Sequence, residues 1–345
     1  IDGENQGDQF GHGISLNGSG NIVAISGPTH ASRGHVRIFE NIGGTWTQIG
    51  QDLDGEATND YFGHDVCMSG DGSIVAIGGI YNDNNGLTNS GHARVFENIG
   101  GTWIQIGQDI DGEAWGDQSG ISLSINDAGN IVVIGASAND ANGLNSGHAR
   151  VYENNGGSWI QIGQDIDGEA LMDYSGGQVS IDSSGNIVAI GANTNDGNGI
   201  DAGHVRLYEY LLGSWIQIGQ DIDGEFAYDN CAPVDLSHDG NTVIIGARGH
   251  DSNGNNSGHV RVFSFATPCN ELGCLDPLAL NFDPYATVDD SSCIYCTNDT
   301  SYTNITACDS VVWNGVTYDS SGTYSYNGGS IGSAATISGY DYIGS

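Results

Sequence analysis

The chain has 345 residues, of which 43 are acidic and 7 are basic, so its formal net charge is −36. An acidic surface of this strength repels nucleic acid and anionic lipid, which excludes nucleic acid as a predicted partner. No apolar run approaches the roughly 18 residues of a transmembrane helix, so the sequence predicts no membrane insertion.

One sequence pattern is repeated five times between the first residue and about residue 265. The clearest copy runs from Asp167 to Gln220. A period of this length is typical of repeat architectures. Because a catalytic residue is normally present once, residues found in all five copies are predicted to be structural. The histidine of a G-H-x-R segment marks the period at steps of 57, 56, 56 and 55 residues: His35, His92, His148, His204 and His259.

Each copy contains four short apolar segments bounded by Gly, Asn, Asp and Ser, with no helical periodicity. In the fourth copy they read GGQVSID, NIVAIGA, HVRLYEY and SWIQIGQ. Such segments predict strands joined by tight turns, and four antiparallel strands per repeat predict a propeller blade. The predicted fold class is therefore all-β. It is a β-propeller of four-stranded blades, with five repeats in this chain, and a small disulfide-bonded C-terminal β region.

This order of strands and turns resembles the FG-GAP repeat of integrin-α-type propellers. The resemblance rests on FGHGISLNGSGNIVAISGP, from Phe10 to Pro28, and FGHDVCMSGDGSIVAIGG, from Phe62 to Gly79. It covers about residues 1–265 and implies a propeller, which in this family typically closes seven blades. The W-x-Q-I-G strand occurs only four times, so either another segment completes the ring or further blades precede Ile1. We expect a ring of five blades.

The composition changes after Ala266. GCLDPLALNFDPYATVDDSSC, from Gly273 to Cys293, resembles an Asp-rich, two-cysteine module of secreted bacterial surface proteins. ITACDSVVWNGVTYDSSGTYSY, from Ile305 to Tyr326, resembles a short β module of the same group. We therefore predict a propeller over residues 1–266, a Cys/Asp-rich disulfide module over 267–297, and a short, truncated β module over 298–345.

Four cysteines cluster in the second of these modules. Their spacing is compatible with zinc, but an acidic, secreted segment favours disulfides. We expect one bridge between Cys274 and Cys293, which closes the Asp-rich loop, and another between Cys269 and Cys296 outside it. The carboxylates of that loop are candidate calcium ligands: Asp276, Asp283, Asp289 and Asp290.

Five of the seven arginines occupy the last position of G-H-x-R, and every copy also has an acidic D-G-E-x-x-x-D segment. Equal numbers of arginines and acidic segments predict one structural ion pair at each junction between blades, largely removed from water. The predicted pairs join Arg37, Arg94, Arg150, Arg206 and Arg261 with Glu4, Glu56, Glu113, Glu169 and Glu225, respectively.

Four copies contain a D-x-N-G loop, in which oxygen-bearing side chains alternate before a glycine. This spacing is similar to the start of a calcium loop, although the distal Glu of such loops is missing. A simple turn is the competing interpretation. Neither interpretation makes a cofactor a requirement of the fold. The candidate ligands are Asp83, Asn85, Asp140, Asn142, Asp196, Asn198, Asp251 and Asn253.

The function predicted from these features is that of a non-catalytic extracellular adhesion or structural module of a bacterial surface protein. It could form a fibre by strand donation, with other copies of itself or other surface proteins as partners. The alternatives are a carbohydrate-binding propeller, with glycans as ligands, and an enzyme with a single site on a non-repeated loop. Because no catalytic motif is present, we predict that the chain is not an enzyme. Sequons that would allow glycosylation occur at Asn17, Asn255, Asn298 and Asn304.

Overall fold

The chain forms two compact units, Ile1–Phe265 and Ala266–Ser345. In this computed structural model, the only helical element among the described residues is a short 3-10 turn at His30–Ser32. The remaining regular structure is strand, which confirms the all-β prediction. The described residues are 1–84, 86–264, 272–274, 276–277, 279, 281–282, 288–289, 291–294, 301–306, 311–313, 316–318, 322–326 and 333–338.

The first two blades are antiparallel sheets of five strands, in which four strands follow one another and a two-residue strand is added. Blade 1 contains β1 (Ile14–Leu16), β2 (Ile22–Gly27), β3 (His35–Ile42), β4 (Thr45–Gln48) and β5 (Leu53–Asp54). Blade 2 contains β6 (Phe62–Met68), β7 (Ile74–Gly79), β8 (His92–Ile99), β9 (Thr102–Gln105) and β10 (Ile110–Asp111).

Blades 3 and 4 repeat this arrangement, and the sheet of blade 5 has three strands among the described residues. Blade 3 contains β11 (Ser122–Ile125), β12 (Ile131–Ala136), β13 (His148–Asn154), β14 (Trp159–Gln161) and β15 (Ile166–Asp167). Blade 4 contains β16 (Ser175–Ile181), β17 (Ile187–Ala192), β18 (His204–Leu211), β19 (Ser214–Gln217) and β20 (Ile222–Asp223). Blade 5 contains β21 (Cys231–Leu236), β22 (Thr242–Ala247) and β23 (His259–Ser264).

The two-residue strand carries the chain from one blade to the next. It pairs with the third strand of its own sheet, so that His148 lies opposite Asp167 and Ala149 opposite Ile166 in blade 3. The first, second and fourth blades have the same register. In blades 1 to 4 this pairing places the histidine of the G-H-x-R segment beside the D-G-E segment that begins the next junction.

A glycine before that histidine allows the next blade to approach closely. Gly147 has φ +73°, and a Cβ built on it would lie 2.1 Å from the carbonyl oxygen of Ser175, at the start of blade 4. Only glycine adopts such a conformation without strain and leaves room for this contact. The Gly in G-H-x-R is therefore required by the packing of successive blades.

Side chains alternate between the two faces of each sheet, so each blade has one face toward the previous blade and one toward the next. We call the face toward the next blade the A face and the face toward the previous blade the B face. Each junction buries an A face against a B face. At the first junction Ala24, Val36 and Ile38 of the A face pack against Val66, Met68, Val75, Ile77, Phe96 and Trp103 of the B face.

Both outermost faces carry exposed apolar side chains in the part of the chain that the structure describes. On the B face of blade 1, Ile14 is 69% exposed and Leu16 is 58% exposed. On the A face of blade 5, Val260 and Val262 are 63% and 62% exposed. A closed ring would bury both faces against each other, so the expected five-bladed ring is not formed by the described residues.

The second unit is described in parts. Its strands are β24 (Leu272–Gly273), β25 (Val288–Asp289), β26 (Ser301–Thr306), β27 (Val311–Trp313), β28 (Val316–Tyr318), β29 (Gly322–Tyr326) and β30 (Ser333–Ser338). A disulfide joins Cys274 and Cys293, as the predicted disulfide-bonded C-terminal region requires. Near it, the side chain of Asn281 donates to the carbonyl oxygen of Ser292 and accepts from the amide of Ile294.

Several predicted residues of the second unit lie outside the described part of the chain. These are Cys269, Cys296, Asp283, Asp290 and Asn298. For Asp289 and Asn304 only the strand position is described, and Asp276 is half-buried. The second disulfide and the calcium loop therefore remain predictions.

Candidate functional site

The arginine of each G-H-x-R segment reaches back to the D-G-E segment of the preceding junction. In every copy its guanidinium donates to the main-chain carbonyl of the first Asp of that segment. The distances between nitrogen and oxygen are 2.6 Å for Arg37 and Asp2, 3.4 Å for Arg94 and Asp54, 2.8 Å for Arg150 and Asp111, and 2.7 Å for Arg206 and Asp167. Arg261 donates in the same way to Asp223.

The glutamate of D-G-E is a second, less regular partner. Arg261 and Glu225 do not form the predicted ion pair within the described residues, and this prediction is corrected. A half-exposed carboxylate stays hydrated and can turn away, whereas the carbonyl is fixed by the strand. The nitrogen-to-oxygen distances are 3.1 Å for Arg37 and Glu4, 3.6 Å for Arg94 and Glu56, 3.0 Å for Arg150 and Glu113, and 3.6 Å for Arg206 and Glu169.

Each of these arginines also lies over the aromatic ring two residues further along its strand. The guanidinium of Arg150 is 5.5 Å from the ring centroid of Tyr152, and the other blades have distances between 5.1 and 5.6 Å. A cation over an aromatic face is stabilised by the ring quadrupole. The carbonyl and the ring therefore fix the arginine at the junction.

The histidine of this segment is buried in each of the first four blades. His35, His92, His148 and His204 are at most 1% exposed. Neither ring nitrogen of these four residues has a hydrogen-bond partner within the described part of the chain. Burial disfavours the charged imidazolium, which lowers the pKa of His148 and of His204 to about 4. These imidazoles are therefore neutral near pH 7.

The last Asp of D-G-E-x-x-x-D accepts a side-chain hydrogen bond in each blade. In blades 2 to 4, Asp60, Asp117 and Asp173 accept a hydrogen bond from the side chain of an asparagine 22 residues later. In the first and last blades a histidine takes that asparagine's place: His30 Nδ1 lies 2.9 Å from Asp8, and His250 Nδ1 lies 3.1 Å from Asp229. This equivalence was not predicted from the sequence, although the spacing is nearly constant, because the hydrogen bond that joins the two positions forms only in the folded blade.

The side chains of the D-x-N-G loops make hydrogen bonds that stabilise turns. Each aspartate oxygen accepts from a backbone amide five or six residues later, at 2.8 Å for Asp83, 2.7 Å for Asp140, 2.9 Å for Asp196 and 2.6 Å for Asp251. Calcium binding at these loops remains a prediction. Asn142 and Asn198 donate to Gly168 and Gly224, Asn253 donates through its backbone amide to Ser257, and Asn85 lies outside the described residues.

The tryptophans of the W-x-Q-I-G strands are buried at the junctions. Trp103, Trp159 and Trp215 are each 3% exposed. Each indole N–H donates to a carbonyl of the preceding blade, as Trp159 does to Ile106 at 2.9 Å. These three rings therefore cannot serve as an exposed platform for sugars.

An open cavity of about 420 Å³ lies between blades 3, 4 and 5. Its wall combines apolar contacts from Ile121 and Pro233 with polar groups from Asn193, Asn230 and Arg248. Arg248 is exposed and makes no ion pair with any described residue. Arg248 is not part of the repeat, because the equivalent positions of the other blades have no arginine: Pro28, Ile80, Ser137 and Asn193.

The two described sequons differ in accessibility. Asn17 is 6% exposed, and its side chain bonds to Ser19, Asn21 and the amide of Ile22. The prediction of a glycan there is corrected, because a transferase needs a free amide. Asn255 lies in an exposed turn, and glycosylation there remains a prediction.

Comparison with known proteins supports the architecture. Residues 53–96 match the family model of the FG-GAP repeat. The chain is a β-propeller, and its residues 53–96 match one FG-GAP repeat. No curated protein matches the sequence. Among the described residues, no helix is long and apolar enough to span a membrane.

Solved structures share the fold. A protein from Bacteroides uniformis named as a 6-phosphogluconolactonase has a TM-score of 0.52 and 14% identity, over 75% of this chain and 68% of that chain. The periplasmic gluconolactonase of Pseudomonas aeruginosa has a TM-score of 0.48 and 13% identity, over 74% and 68%. Identities this low show the fold alone.

These names correct one prediction. We expected the chain not to be an enzyme, because its polar residues are repeated and no catalytic motif is present. The Bacteroides uniformis protein, which shares the fold, is named as an enzyme, so the prediction that this chain is not an enzyme is corrected. The repeat accordingly gives no ground for excluding an activity, and a low-identity fold match assigns none.

Proposed function

We propose that the propeller is an extracellular adhesion or structural module that associates head to tail with further copies of itself. The observation that supports this best is the exposure of its two outermost faces. On the B face of blade 1, Ile14 and Leu16 are exposed beside Trp46. On the A face of blade 5, the exposed residues are Ile244, Val260 and Val262.

The two faces are opposite halves of an interface that the chain already forms four times. Ile14 and Leu16 of blade 1 correspond to Val66 and Met68 of blade 2, which are buried against blade 1. The exposed residues of blade 5 correspond in the same way to the buried A-face residues of blade 1. Contact between A and B faces of two copies would continue this packing. Such a heterologous contact produces rings or open filaments.

The N-terminus offers a matching strand. In blade 1, Leu53 and Asp54 pair with Val36 and His35. Ile1 and Asp2 occupy the equivalent positions of the sequence pattern and could pair with Val260 and His259 of a second copy. This would be a short form of strand addition, in which backbone hydrogen bonds supplement the apolar contact.

The net charge and the disulfide indicate the ionic strength and the compartment in which the copies would associate. At a net charge of −36, two copies repel each other, and this repulsion is screened by salt. The disulfide between Cys274 and Cys293 is typical of an oxidising compartment, which supports a location outside the cytoplasm. We therefore propose association on or near the cell surface, at physiological ionic strength or above.

Sedimentation velocity over about a hundredfold range of concentration tests this association. We expect species larger than the monomer to increase with concentration and with added salt. Ile14→Asp should block the B face and Val262→Asp the A face, because each introduces a charge into an apolar contact. Each variant alone should be monomeric, whereas an equimolar mixture should form dimers that do not grow further.

Leu212→Asp is the matched control, because Leu212 is 92% exposed on a hairpin of blade 4, away from both outer faces. It should associate like the unmodified chain. A chain that stays monomeric at all concentrations and salt levels would contradict the proposal, as would association that neither face variant reduces.

A second candidate is carbohydrate binding at the cavity between blades 3, 4 and 5. The observation in its favour is the unpaired Arg248 beside Asn193 and Asn230, a combination suited to the carboxylate and hydroxyl groups of an acidic sugar. The cavity also falls within the volume range of small-molecule sites.

A glycan array distinguishes this candidate from self-association. We expect binding of acidic glycans that Arg248→Gln weakens at least about tenfold, since a charge-assisted hydrogen bond is lost. Arg33→Gln is the control, because Arg33 is also partly exposed but belongs to blade 1. Absence of any glycan signal, or equal loss in both variants, would rule out recognition at this cavity.

A further inference from the structure

The histidines of the G-H-x-R segments have buried ring nitrogens without hydrogen-bond partners among the described residues. His35 is fully buried, yet neither ring nitrogen has a hydrogen-bond partner among the described residues. A buried polar group without a partner is costly, and it commonly indicates an unseen water or ion. The same condition recurs in blades 2, 3 and 4, so it is a regular feature of the repeat.

Carboxylate oxygens surround each of these rings at an unusual distance. The nearest lie 3.7 to 3.9 Å from Nδ1, as for His92 and Asp109 at 3.7 Å and for His35 and Asp52 at 3.9 Å. This is too long for a hydrogen bond. Two ligand atoms each about 2.0–2.2 Å from one ion can be this far apart, so the spacing suits metal coordination.

The first and last blades add a second imidazole to this arrangement. Glu4, His30 and His35 place one possible ligand atom each within 4.8 Å of one another, and so do Glu225, His250 and His259. The corresponding groups of blades 2 to 4 have one histidine and two carboxylates. Nitrogen ligands favour transition metals over calcium, so the terminal blades are the better sites for such an ion.

The surroundings in blade 1 prepare these groups for coordination. Asp8 accepts from His30 Nδ1 at 2.9 Å, which leaves Nε2 facing Glu4 Oε2 at 3.9 Å. A carboxylate behind a histidine orients the ring of many metal ligands in this way. Arg37 holds the other oxygen of Glu4 at 3.1 Å and so fixes that carboxylate, although its charge opposes a cation nearby. The rings of His30 and His35 are stacked in nearly parallel planes with their centroids 3.9 Å apart, so one ring must turn before both can direct a nitrogen lone pair at the same ion.

We propose that blade 1 binds a divalent transition-metal ion such as Zn²⁺ through His30 Nε2, a ring nitrogen of His35 and Glu4 Oε2. Blade 5 offers the same set in Glu225, His250 and His259. In that blade His250 Nε2 must first release Ser252, to which it is hydrogen-bonded. The site of blade 1 is therefore the tighter of the two. The repeat limits tight binding to the two terminal blades, because the internal blades have an asparagine where His30 and His250 stand.

Calorimetric titration of the chelator-treated full chain with ZnCl₂ tests this proposal. We expect about two ions per chain, about one after His30→Asn, and none at micromolar concentration after His30→Asn with His250→Asn. Asparagine is the residue of blades 2 to 4 at this position and keeps the bond to the aspartate, so the variants should fold. Circular dichroism without metal checks that they do.

The reverse exchange gives an independent readout. Asn139→His brings a second imidazole to Glu113 and His148 and should add about one bound ion. Zn²⁺ should also raise the melting temperature of the unmodified chain and leave that of the double variant unchanged. No binding by the unmodified chain would overturn the proposal, as would a stoichiometry that His30→Asn does not reduce.

Discussion

Replacing Trp159 by alanine is expected to lower the free energy of unfolding by about 3–5 kcal/mol. Trp159 is 3% exposed and packs in the junction between blades 2 and 3, against Val95 and Ile110 of blade 2 and Ile134 of its own blade. Its indole N–H also donates to the carbonyl of Ile106. The substitution leaves a cavity at the junction and an unpaired buried carbonyl. Urea unfolding followed by far-ultraviolet circular dichroism measures the change.

Trp46 provides a control within the same chain. It occupies the equivalent position of blade 1, where no preceding blade covers the ring, and it lines an open surface depression with Ile14 and Leu16. Trp46→Ala should cost less than about half as much, since less apolar area is removed from contact. Equal losses in dilute monomer would mean that burial at the junction does not stabilise this fold.

Arg150→Ala is expected to destabilise the propeller by about 3 kcal/mol. The guanidinium is buried, donates to the carbonyl of Asp111 at 2.8 Å, and lies 3.0 Å from Glu113 and 5.5 Å from the ring of Tyr152. Its removal breaks the link between the central strand of blade 3 and the segment that leaves blade 2. The loss is read from the urea midpoint in the same experiment.

The variant Glu113→Gln distinguishes the contribution of the Glu113 side chain to stability from that of the Asp111 carbonyl. The Glu113 side chain is 47% exposed, so water replaces much of what the ion pair contributes, and we expect a cost below about 1 kcal/mol. This difference follows from the structure, in which the carbonyl of Asp111 is the constant partner. If Glu113→Gln proved as costly as Arg150→Ala, the ion pair would be the main contribution instead.

The sequence was sufficient to predict the blades. The alternation of residues in NIVAIGA and HVRLYEY places small apolar side chains on one face and larger ones on the other, and the repeat requires every copy to fold alike. Local pattern also located the turns, because Asn, Asp and Gly have intrinsic preferences for them. The register of His148 with Asp167 was not predicted from the sequence, because constant spacing between two segments does not show that they pair.

The partners of the repeated charges were harder to predict. Counting five arginines and five D-G-E segments gave the right segment but emphasised Glu113 and its equivalents rather than the carbonyls of Asp111 and its equivalents. Every residue has a main-chain carbonyl, so counting side chains cannot show which carbonyl accepts the hydrogen bond. His30 and His250 replace the asparagine that blades 2 to 4 have at this position. The meaning of this replacement depended on the hydrogen bonds to Asp8 and Asp229, which only the structure shows.

The sequence by itself determined the four-strand repeat, the order of the blades and the acidity of their surface, because these follow from local pattern and composition. Only the tertiary structure decided whether the blades close a ring. Closure depends on the accumulated twist between sheets and on which faces meet, and neither is encoded within one repeat. The tertiary structure also decided which side chains lack partners, because His35, His30 and Glu4 are separated along the chain and meet only when β3 packs beside the first junction segment.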